Sequence, residues 1–380
     1  MSSSQPPGGL GYGSLPGRTV AEPQIVYVPV PAPRSLLASI FTWAIRSLFL
    51  LSLVINVVVL WLVFSVNVDG RLPERHYSGS LTAGQKIALV HIDGVIMEGM
   101  IDFACKQLKT AALDSDVAAV VVAVNSPGGS VTASDLLYQQ VKDLRDGKWP
   151  GQTRPKPVVV AMESVAASGG YYLSMPALRI LAQPTTITGS IGVYAQLINI
   201  RKLAEQYGVE ATLLKKGELK GSGSLFKALT PDEQREFDDL LEHSYQRFMT
   251  IVKEGRGNRL KYGLRDEIKV QSRSDPKVTY VRRLADGGAY TADEALAFGL
   301  IDQIGYVNDA LEEAKKLAGG DPAAYRVVTF QQPLSLMDAL IGSKTSETAS
   351  QTLDQIPGLT ARLWFMTPGF ELAGVRIPTR

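Results

Sequence analysis

The chain has 380 residues and a formal net charge of +2, so its length allows two or three domains and its charge gives no reason to expect nucleic-acid binding. A single cysteine, Cys105, excludes an internal disulfide framework, and we expect it to be a small buried apolar residue.

The N-terminal part of the chain predicts a tail followed by a membrane anchor. Residues 1–46 are rich in Pro, Gly and Ser up to about residue 34, so we expect a disordered tail with polyproline character. Residues 47–66, SLFLLSLVINVVVLWLVFSV, carry no charge and are long enough to cross a bilayer as a helix. A buried core helix fits less well because nothing amphipathic surrounds the segment, and a cleaved signal peptide fits less well because no cleavage motif follows it. We expect an uncleaved anchor, whose orientation the nearly balanced flanking arginines do not decide.

Beyond a linker at residues 67–84, strand and helix patterns alternate, which predicts an α/β domain over residues 85–320. The strand runs are rich in β-branched residues, as in a parallel sheet that is covered on both faces. Thr230 and Glu233 predict a capping box at the start of the longest helix. Residues 321–380 lose the alternation and form an extension without an assigned role. The predicted strands are residues 86–96, 117–125, 157–163, 179–183, 210–216 and 325–330, and the predicted helices are residues 101–113, 130–145, 168–177, 201–207, 231–256, 293–298 and 308–317.

Two glycine-bearing turns follow the predicted strands and open helices. The first, NSPGGS, contains Gly129, whose backbone N–H at a helix N-terminus is a candidate oxyanion-hole donor, although an ordinary strand-to-helix turn is the simpler explanation of the motif taken alone. The second, ASGG, contains Ser168 and Gly169. Ser168 is a candidate nucleophile and Gly169 a second candidate donor, whereas the alternative for Ser168 is a helix cap.

A serine nucleophile needs a base, and the composition limits the choice of base. The three histidines of the chain, at positions 76, 91 and 243, all lie outside glycine-rich serine turns, so a Ser-His-Asp triad is an unfavourable interpretation. A desolvated, neutral lysine is the natural substitute. A third turn, TGSIGV, contains Ser190, which is either a simple turn residue or a hydroxyl that holds such a lysine in place.

Taken together, these motifs resemble peptidase family S49, in particular its short, single-copy signal peptide peptidases A. The resemblance covers about residues 85–317 and is specific as a set, because the motifs occur in the same order and at similar spacing. The matching motifs are NSPGG at residues 125–129, ASGGYY at 167–172, TGSIGV at 188–193, KGELK at 216–220, TPDE at 230–233 and GLID at 299–302.

The resemblance implies a Clp protease/crotonase-like βαβ superhelix, preceded here by one transmembrane helix. It also implies roles for particular residues: Ser168 is the nucleophile, Lys220 the general base in preference to Lys215 and Lys216, and Ser190 the residue that orients the lysine. Gly129 and Gly169 match the oxyanion-hole positions.

The resemblance further implies a membrane-anchored serine endopeptidase that degrades cleaved signal peptides. It predicts a homo-oligomer in which neighbouring protomers can share the serine and the lysine, with a cytoplasmic N-terminus and an extracytoplasmic catalytic domain at the cell (inner) membrane. We expect no cofactor and no metal. The sequence leaves two other functions open, a catalytically inactive membrane scaffold of the same fold and a crotonase-type acyl-CoA enzyme.

Overall fold

The structure is a computed structural model that describes residues 36–67, 72–332 and 363–366. The predicted tail up to residue 35 and most of the predicted C-terminal extension lie outside the described residues. A long helix near the N-terminus and the α/β part of the chain form two separate units, and each is described by itself.

The first unit contains one helix, α1 (Leu36–Asn67). Within it, Ser39–Trp61 is 23 residues long and contains an 18-residue window with a mean hydropathy of 2.2, which makes it the one helix of the described chain that is long and apolar enough to cross a membrane. At about 1.5 Å per residue it exceeds the roughly 30 Å of a hydrocarbon core. This candidate span starts at Ser39, whereas the prediction of residues 47–66 rests on the uncharged run that follows Arg46, and the bounds of the anchor stay a prediction.

The second unit alternates strands and helices along the chain. Its helices are α2 (Asp102–Leu113), α3 (Val131–Asp146), α4 (Gly169–Ser174), α5 (Arg201–Gln206), α6 (Pro231–Arg256), α7 (Ala292–Phe298) and α8 (Val307–Ala318). Its strands are β1 (Glu74–Gly79), β2 (Gln85–Asp93), β3 (Val117–Ser126), β4 (Gly128–Ser130), β5 (Val158–Ala167), β6 (Arg179–Ala182), β7 (Ile187–Gly189), β8 (Tyr194–Ala195), β9 (Ile268–Gln271), β10 (Thr279–Arg282), β11 (Ala289–Thr291), β12 (Gln303–Ile304), β13 (Tyr325–Phe330) and β14 (Leu363–Met366).

The main sheet has the strand order β1-β13-β2-β3-β5-β6-β12, and all neighbours except the β1–β13 pair are parallel. Strand β7 pairs with the last residues of β5, and β11 pairs with β7. Because β3 and β5 are parallel neighbours, the turns that follow them lie at the same edge of the sheet, where ligand sites form in open α/β folds. The glycine turns predicted from the sequence lie at this edge.

Both faces of the main sheet are buried, as the apolar strand runs predicted. In β2, Ile87 and Leu89 pack on the face that α8 covers, whereas Ala88 and Val90 pack on the opposite face with residues of α2, α3 and α6. The period-two alternation of side chains along a strand places them on opposite faces. The central strands therefore hold the turns at their carboxyl ends on a rigid support.

Most predicted elements are confirmed within one to four residues at their ends, and the capping box of Thr230 and Glu233 is present at the start of α6. The strand predicted at residues 210–216 is wrong: the segment is fully exposed and irregular, because no strand of the described chain pairs with it. Strand β1 lies in the stretch expected to be a linker, and β13, in the expected extension, joins the main sheet between β1 and β2. The sheet thus reaches beyond the predicted domain limits at both ends, and the limits themselves stay a prediction.

Candidate active site

Ser168 lies at the carboxyl end of β5, immediately before α4, in a backbone conformation that L-residues rarely adopt. Its φ is 53° and its ψ is −112°, and the residue is 1% exposed. Ser168 and Ser190 are the two residues other than glycine with a positive φ in the described part of the chain. Such strain costs about 1–3 kcal/mol per residue and is concentrated at functional sites, so it marks these two serines as a candidate site.

The backbone holds Ser168 while its hydroxyl stays without a partner. The N–H of Ser168 donates to the carbonyl oxygen of Gly189 at 2.7 Å, and its own carbonyl accepts from the N–H of Tyr172 at 2.8 Å. The buried Oγ makes no hydrogen bond with any described residue, and it does not cap α4. By contrast, Ser130 Oγ accepts from the N–H of Ala133 and caps α3 in the ordinary way. The helix-cap alternative for Ser168 is therefore wrong.

The two tyrosines of the ASGGYY motif anchor the helix that follows Ser168. Tyr171 donates from its hydroxyl to the carbonyl oxygen of Leu300 at 2.8 Å, and burial raises the pKa of this phenol. Tyr172 donates to Asp135 and packs edge-on against Phe248 of α6. These contacts are structural, and they fix α4 and the turn before it against the core.

Gly129 lies in β4, where the close approach of another backbone excludes any side chain. A Cβ at this position would lie 1.9 Å from the carbonyl oxygen of Ile96. The N–H of Ile96 donates to the carbonyl of Gly128, and the N–H of Ser130 donates to the carbonyl of Ile96. Because successive peptide groups of a strand point to opposite edges, the N–H and C=O of Gly129 face the other edge of β4. This orientation suits a donor for a bound peptide.

The turn of Gly129 and the turn of Ser168 lie next to each other. Residues Ser126 and Ala166 are partners in the register of β3 and β5, and a Cβ on Gly170 would lie 2.8 Å from the carbonyl oxygen of Ser126. Gly169 is the first residue of α4, so its N–H has no acceptor within the helix. The structure thus brings the β3 and β5 turns together and leaves the N–H of Gly169 available as a second donor.

Ser190 is fixed by the loop that contains Gly287 and Gly288. Its N–H donates to the carbonyl of Gly288 and its Oγ donates to the carbonyl of Gly287, each at 3.0 Å. A serine hydroxyl that donates one hydrogen bond can still accept another, so Ser190 Oγ can accept a hydrogen bond from a lysine ammonium group. An open cleft of about 1080 Å³ adjoins Ser190 and leaves room for such a side chain.

Asp286 and Arg282 organise that loop. Arg282 donates to both carboxylate oxygens of Asp286, at 2.5 and 3.0 Å, and the N–H of Gly288 donates to Asp286 at 2.8 Å. Burial raises the pKa of Asp286, but the hydrogen bonds from Arg282 and from backbone N–H groups outweigh it, so the pKa lies below its usual value. The i,i+4 acid–base pair was visible in the sequence, but its link to Ser190 depends on a long-range contact.

Lys220 is exposed, and within a single chain its side chain contacts neither Ser168 nor Ser190. Its backbone N–H closes a turn with the carbonyl of Gly217 at 3.2 Å, and its ammonium group makes no hydrogen bond or ion pair with a described residue. Of the two competing lysines, Lys215 donates to the carbonyl of Glu218. The predicted contacts from Lys220 to Ser168 and Ser190 are therefore absent within one copy of the chain.

Lys220 belongs to a segment that one chain leaves uncovered, residues 192–232, which we call the arm. The arm contains no buried residue, although it carries nine large exposed apolar side chains: Ile198, Leu203, Tyr207, Val209, Leu213, Leu214, Leu219, Phe226 and Leu229. Exposed apolar side chains in such number are typical of an interaction surface.

Comparison with known proteins places these residues in a family. The model of peptidase family S49 matches residues 151–263 and 269–321, a range that contains every predicted site residue except Gly129. The protein slr0021 of Synechocystis sp. is 32% identical over 279 residues, which cover 73% of this chain and 90% of that protein. The chain belongs to peptidase family S49.

Two further relatives are matched over part of their own length. Protease 4 of Salmonella typhi is 30% identical over 73% of this chain and 41% of its own length, and the chloroplastic serine protease SPPA of Arabidopsis thaliana is 31% identical over 67% and 37%. The chain thus spans well under half the length of these two relatives. Membership of the family makes the chain a serine peptidase with the α/β fold of the Clp protease and crotonase type.

Proposed function

We propose that this chain is a membrane-anchored serine endopeptidase in which Ser168 attacks the peptide carbonyl and Lys220 removes its proton. The observation that carries the proposal is the Ser168 hydroxyl, which is buried and unpartnered, on a strained turn beside Gly129. A buried hydroxyl without a partner costs about 1–3 kcal/mol, so a chain that retains one has a use for it in the reaction.

The reaction follows from the chemistry of these groups. A neutral Lys220 takes the Ser168 proton as Oγ attacks the carbonyl carbon, and it later delivers a proton to the leaving amine. The N–H groups of Gly129 and Gly169 donate to the oxyanion, a contribution for which one donor is typically worth about 10²–10³ in rate. Water then hydrolyses the acyl-enzyme. Ser190 accepts from the lysine and keeps it aimed at Ser168.

The exposed arm supports a homo-oligomer as the active form. In one copy no residue of the arm is fully buried and Lys220 is exposed. Packing of the arm against a second copy covers its apolar side chains and removes the lysine from water, which is what its use as a neutral base requires. In this proposal the site is complete only in the assembled protein.

The edge of β4 and a small apolar cluster support the proposal that the substrates are extended, apolar peptides. Val95 and Met97 flank the residue that pairs with Gly129, and they pack with Tyr194 of β8 in a cluster apart from the two main cores. An extended peptide along β4 would place alternate side chains towards such a surface. Remnants of signal peptides are apolar and are released at membranes, where the helix α1 would hold the enzyme. The proposed orientation is a cytoplasmic tail and an extracytoplasmic peptidase domain.

The proposal is tested with the full-length chain in detergent micelles and a quenched fluorescent peptide of apolar sequence. The unmodified chain hydrolyses the peptide, and we expect Ser168→Ala and Lys220→Ala each to lower kcat by about 10³-fold or more without loss of folding. Lys216→Ala is the matched control, because Lys216 is an exposed lysine of the same segment, and it keeps its activity within about twofold of the unmodified chain. If Ser168→Ala hydrolyses the peptide as fast as the unmodified chain, Ser168 is not the nucleophile. If Lys220→Ala does so, Lys220 is not the general base.

A further inference from the structure

One amide side chain lies at the centre of the uncharged run in helix α1. Asn56 is the tenth of the twenty residues 47–66, and no other residue of this run carries an amide or a charge on its side chain. At about 1.5 Å per residue, Asn56 lies roughly 15 Å along the helix from Arg46, which is about half the thickness of a hydrocarbon core. A helix that crosses a bilayer from Arg46 onwards therefore places this amide near the midplane.

The helix itself satisfies only part of the hydrogen-bonding capacity of Asn56. Its Nδ2 donates to the carbonyl oxygen of Ser52 at 2.7 Å and lies 3.4 Å from Ser52 Oγ. Its Oδ1 accepts no hydrogen bond from any described residue, and in one copy every side chain from Ser39 to Trp61 is exposed. Because hydrocarbon offers no donor, a polar atom without a partner is strongly unfavourable there. The amide therefore favours a partner within the membrane.

We propose that α1 pairs with α1 of a second copy of this chain, through hydrogen bonds between the two Asn56 side chains. This inference rests on the proposed function in one respect, because it takes α1 to cross a bilayer as a membrane anchor. The pair of helices is a contact between copies in addition to the arm, and it uses a different part of the sequence.

A second copy is the occupant that the chemistry of the amide favours. A carboxamide contains both donors and an acceptor, so two of them related by a two-fold axis can each donate to the other. Copies inserted in the same orientation carry Asn56 at the same depth, where each amide meets its counterpart. The second N–H of Asn56 can then donate to Oδ1 of the other copy while the bond to the Ser52 carbonyl stays. Hydrogen bonds of this kind contribute to the association of membrane helices.

The position of Asn56 defines the face of α1 on which the pair forms. Residues seven positions apart differ by only about 20° around a helix axis, so Phe49 lies on the same face as Asn56, two turns earlier. Ser52, one turn before Asn56, is small and permits close approach of two helices. Leu51 and Val58 are also seven positions apart, and they lie roughly 140–160° around the axis from Asn56.

A disulfide between copies tests the pairing in the full-length chain. The chain carries Ser168→Ala and Cys105→Ser, is reconstituted in phosphatidylcholine vesicles and is oxidised with copper phenanthroline. A single new cysteine replaces either Phe49 or Leu51, and the readout is the fraction of covalent dimer on a non-reducing gel. We expect Phe49→Cys to give about fivefold more dimer than Leu51→Cys, because position 49 faces its counterpart across the pair whereas position 51 faces lipid.

Moving the amide to the other side of the helix supplies the matched control. The chain with Asn56→Val and Val58→Asn has the same composition, but its amide lies on the side of Leu51. We expect the preference to reverse, with Leu51→Cys giving about fivefold more dimer than Phe49→Cys. Asn56→Gln retains a carboxamide and should keep the preference for position 49, whereas Asn56→Val alone should abolish it.

An unchanged preference for position 49 in the chain with the moved amide would overturn the inference, because other contacts would then hold the helices together. Equal cross-linking at positions 49 and 51 in the presence of Asn56 would overturn it as well. The cross-link does not depend on catalysis, since Ser168 is replaced. Absence of peptide hydrolysis by the unmodified chain would therefore reject the proposed reaction and leave the pairing intact. Extraction of the chain from the vesicles by sodium carbonate would reject the membrane anchor and the pairing with it.

Discussion

At the scale of single residues, the site is defined by backbone conformation as much as by side-chain chemistry. Ser168 and Ser190 were both visible in the sequence as serines on glycine turns, but their positive φ values were not. The sequence left a helix cap as the alternative for Ser168, and only the missing hydrogen bond of its Oγ excludes that alternative. The loop of Arg282 and Asp286 escaped prediction because its link to Ser190 joins residues almost a hundred positions apart.

Ser168→Gly should abolish peptidase activity and at the same time stabilise the fold. Glycine adopts a positive φ without strain, and the change removes a buried hydroxyl without a partner. We expect the free energy of unfolding to rise by about 1 kcal/mol, measured by denaturant titration. Ser174→Gly is the control, because Ser174 is an equally buried serine with a satisfied hydroxyl within α4 and its loss should destabilise. A clear loss of stability in Ser168→Gly would contradict the conclusion that the backbone of Ser168 is strained.

Asp286→Asn should impair catalysis through Ser190. The change weakens the pair with Arg282 that shapes the loop whose carbonyl groups hold Ser190. We expect kcat to fall about tenfold with KM nearly unchanged, and the loss to resemble the effect of low pH on the unmodified chain. Low pH should act in this direction because the folded-state pKa of Asp286 is lowered. The stabilisation of the loop by the Asp286 carboxylate is therefore present above the unfolded-state pKa and is lost as the pH falls through the folded-state pKa. The exposed pair of Arg283 and Glu267 supplies the control, and Glu267→Gln should leave kcat unchanged.

At the scale of elements, local patterns predicted what neighbouring residues determine and missed what distant partners determine. The apolar runs of β2, β3 and β5 and the caps of α6 are local signals, and the structure contains each element. Strand β1 is exposed and polar and exists because β13, some 250 residues later, pairs with it. Strand β14 likewise depends on β4 and β8. Residues 210–216 have a strand-like composition but pair with no strand among the described residues.

A buried ion pair between α6 and the start of β12 should govern acid stability. Arg256 donates to both oxygens of Asp302, at 3.0 and 2.9 Å, and the N–H of Ile180 donates to the same carboxylate. Burial raises the pKa of Asp302, but the hydrogen bonds and the charge of Arg256 outweigh it, so the pKa is lowered. The stabilisation is therefore complete above the unfolded pKa of about 3.9 and declines as the pH falls through the folded pKa.

Asp302→Asn leaves the Arg256 charge buried without its counter-ion, so we expect a loss of about 3–5 kcal/mol at neutral pH and a smaller dependence of stability on pH below about 4. Thermal unfolding over a pH series measures both effects. The exposed pair of Arg201 and Glu205 is the control, and Glu205→Gln should change stability by less than about 0.5 kcal/mol. A variant as stable as the unmodified chain would show that the pair contributes nothing.

At the scale of the whole molecule, one chain accounts for the nucleophile but not for its base. The arm that carries Lys220 exposes many apolar side chains. The sequence motifs identified Lys220 by resemblance to the family, but they do not show which contacts order its side chain. In the proposed assembly the contacts that cover the arm lie between copies, and a single sequence does not reveal such contacts.

Leu214→Asp should weaken the assembly and, with it, the activity. Leu214 is 90% exposed in one chain, and a carboxylate at this position opposes burial against a second copy. We expect a smaller assembly by analytical ultracentrifugation in detergent and a fall in specific activity of about tenfold or more, most marked on dilution. Leu81→Asp is the control, since Leu81 is 71% exposed and lies outside the arm. An unchanged assembly with full activity would show that the arm is not an interface.

The central claim is that Ser168 is a nucleophile activated by Lys220, and covalent labelling tests it most directly. The full-length chain is treated with a fluorophosphonate, and the modified residue is located by mass spectrometry of its peptides. We expect a single phosphonylated residue, Ser168, with labelling abolished in Ser168→Ala, slowed about 10²-fold or more in Lys220→Ala and unchanged in Lys216→Ala. Labelling of a different serine, or equally fast labelling of Ser168 without Lys220, would contradict the account.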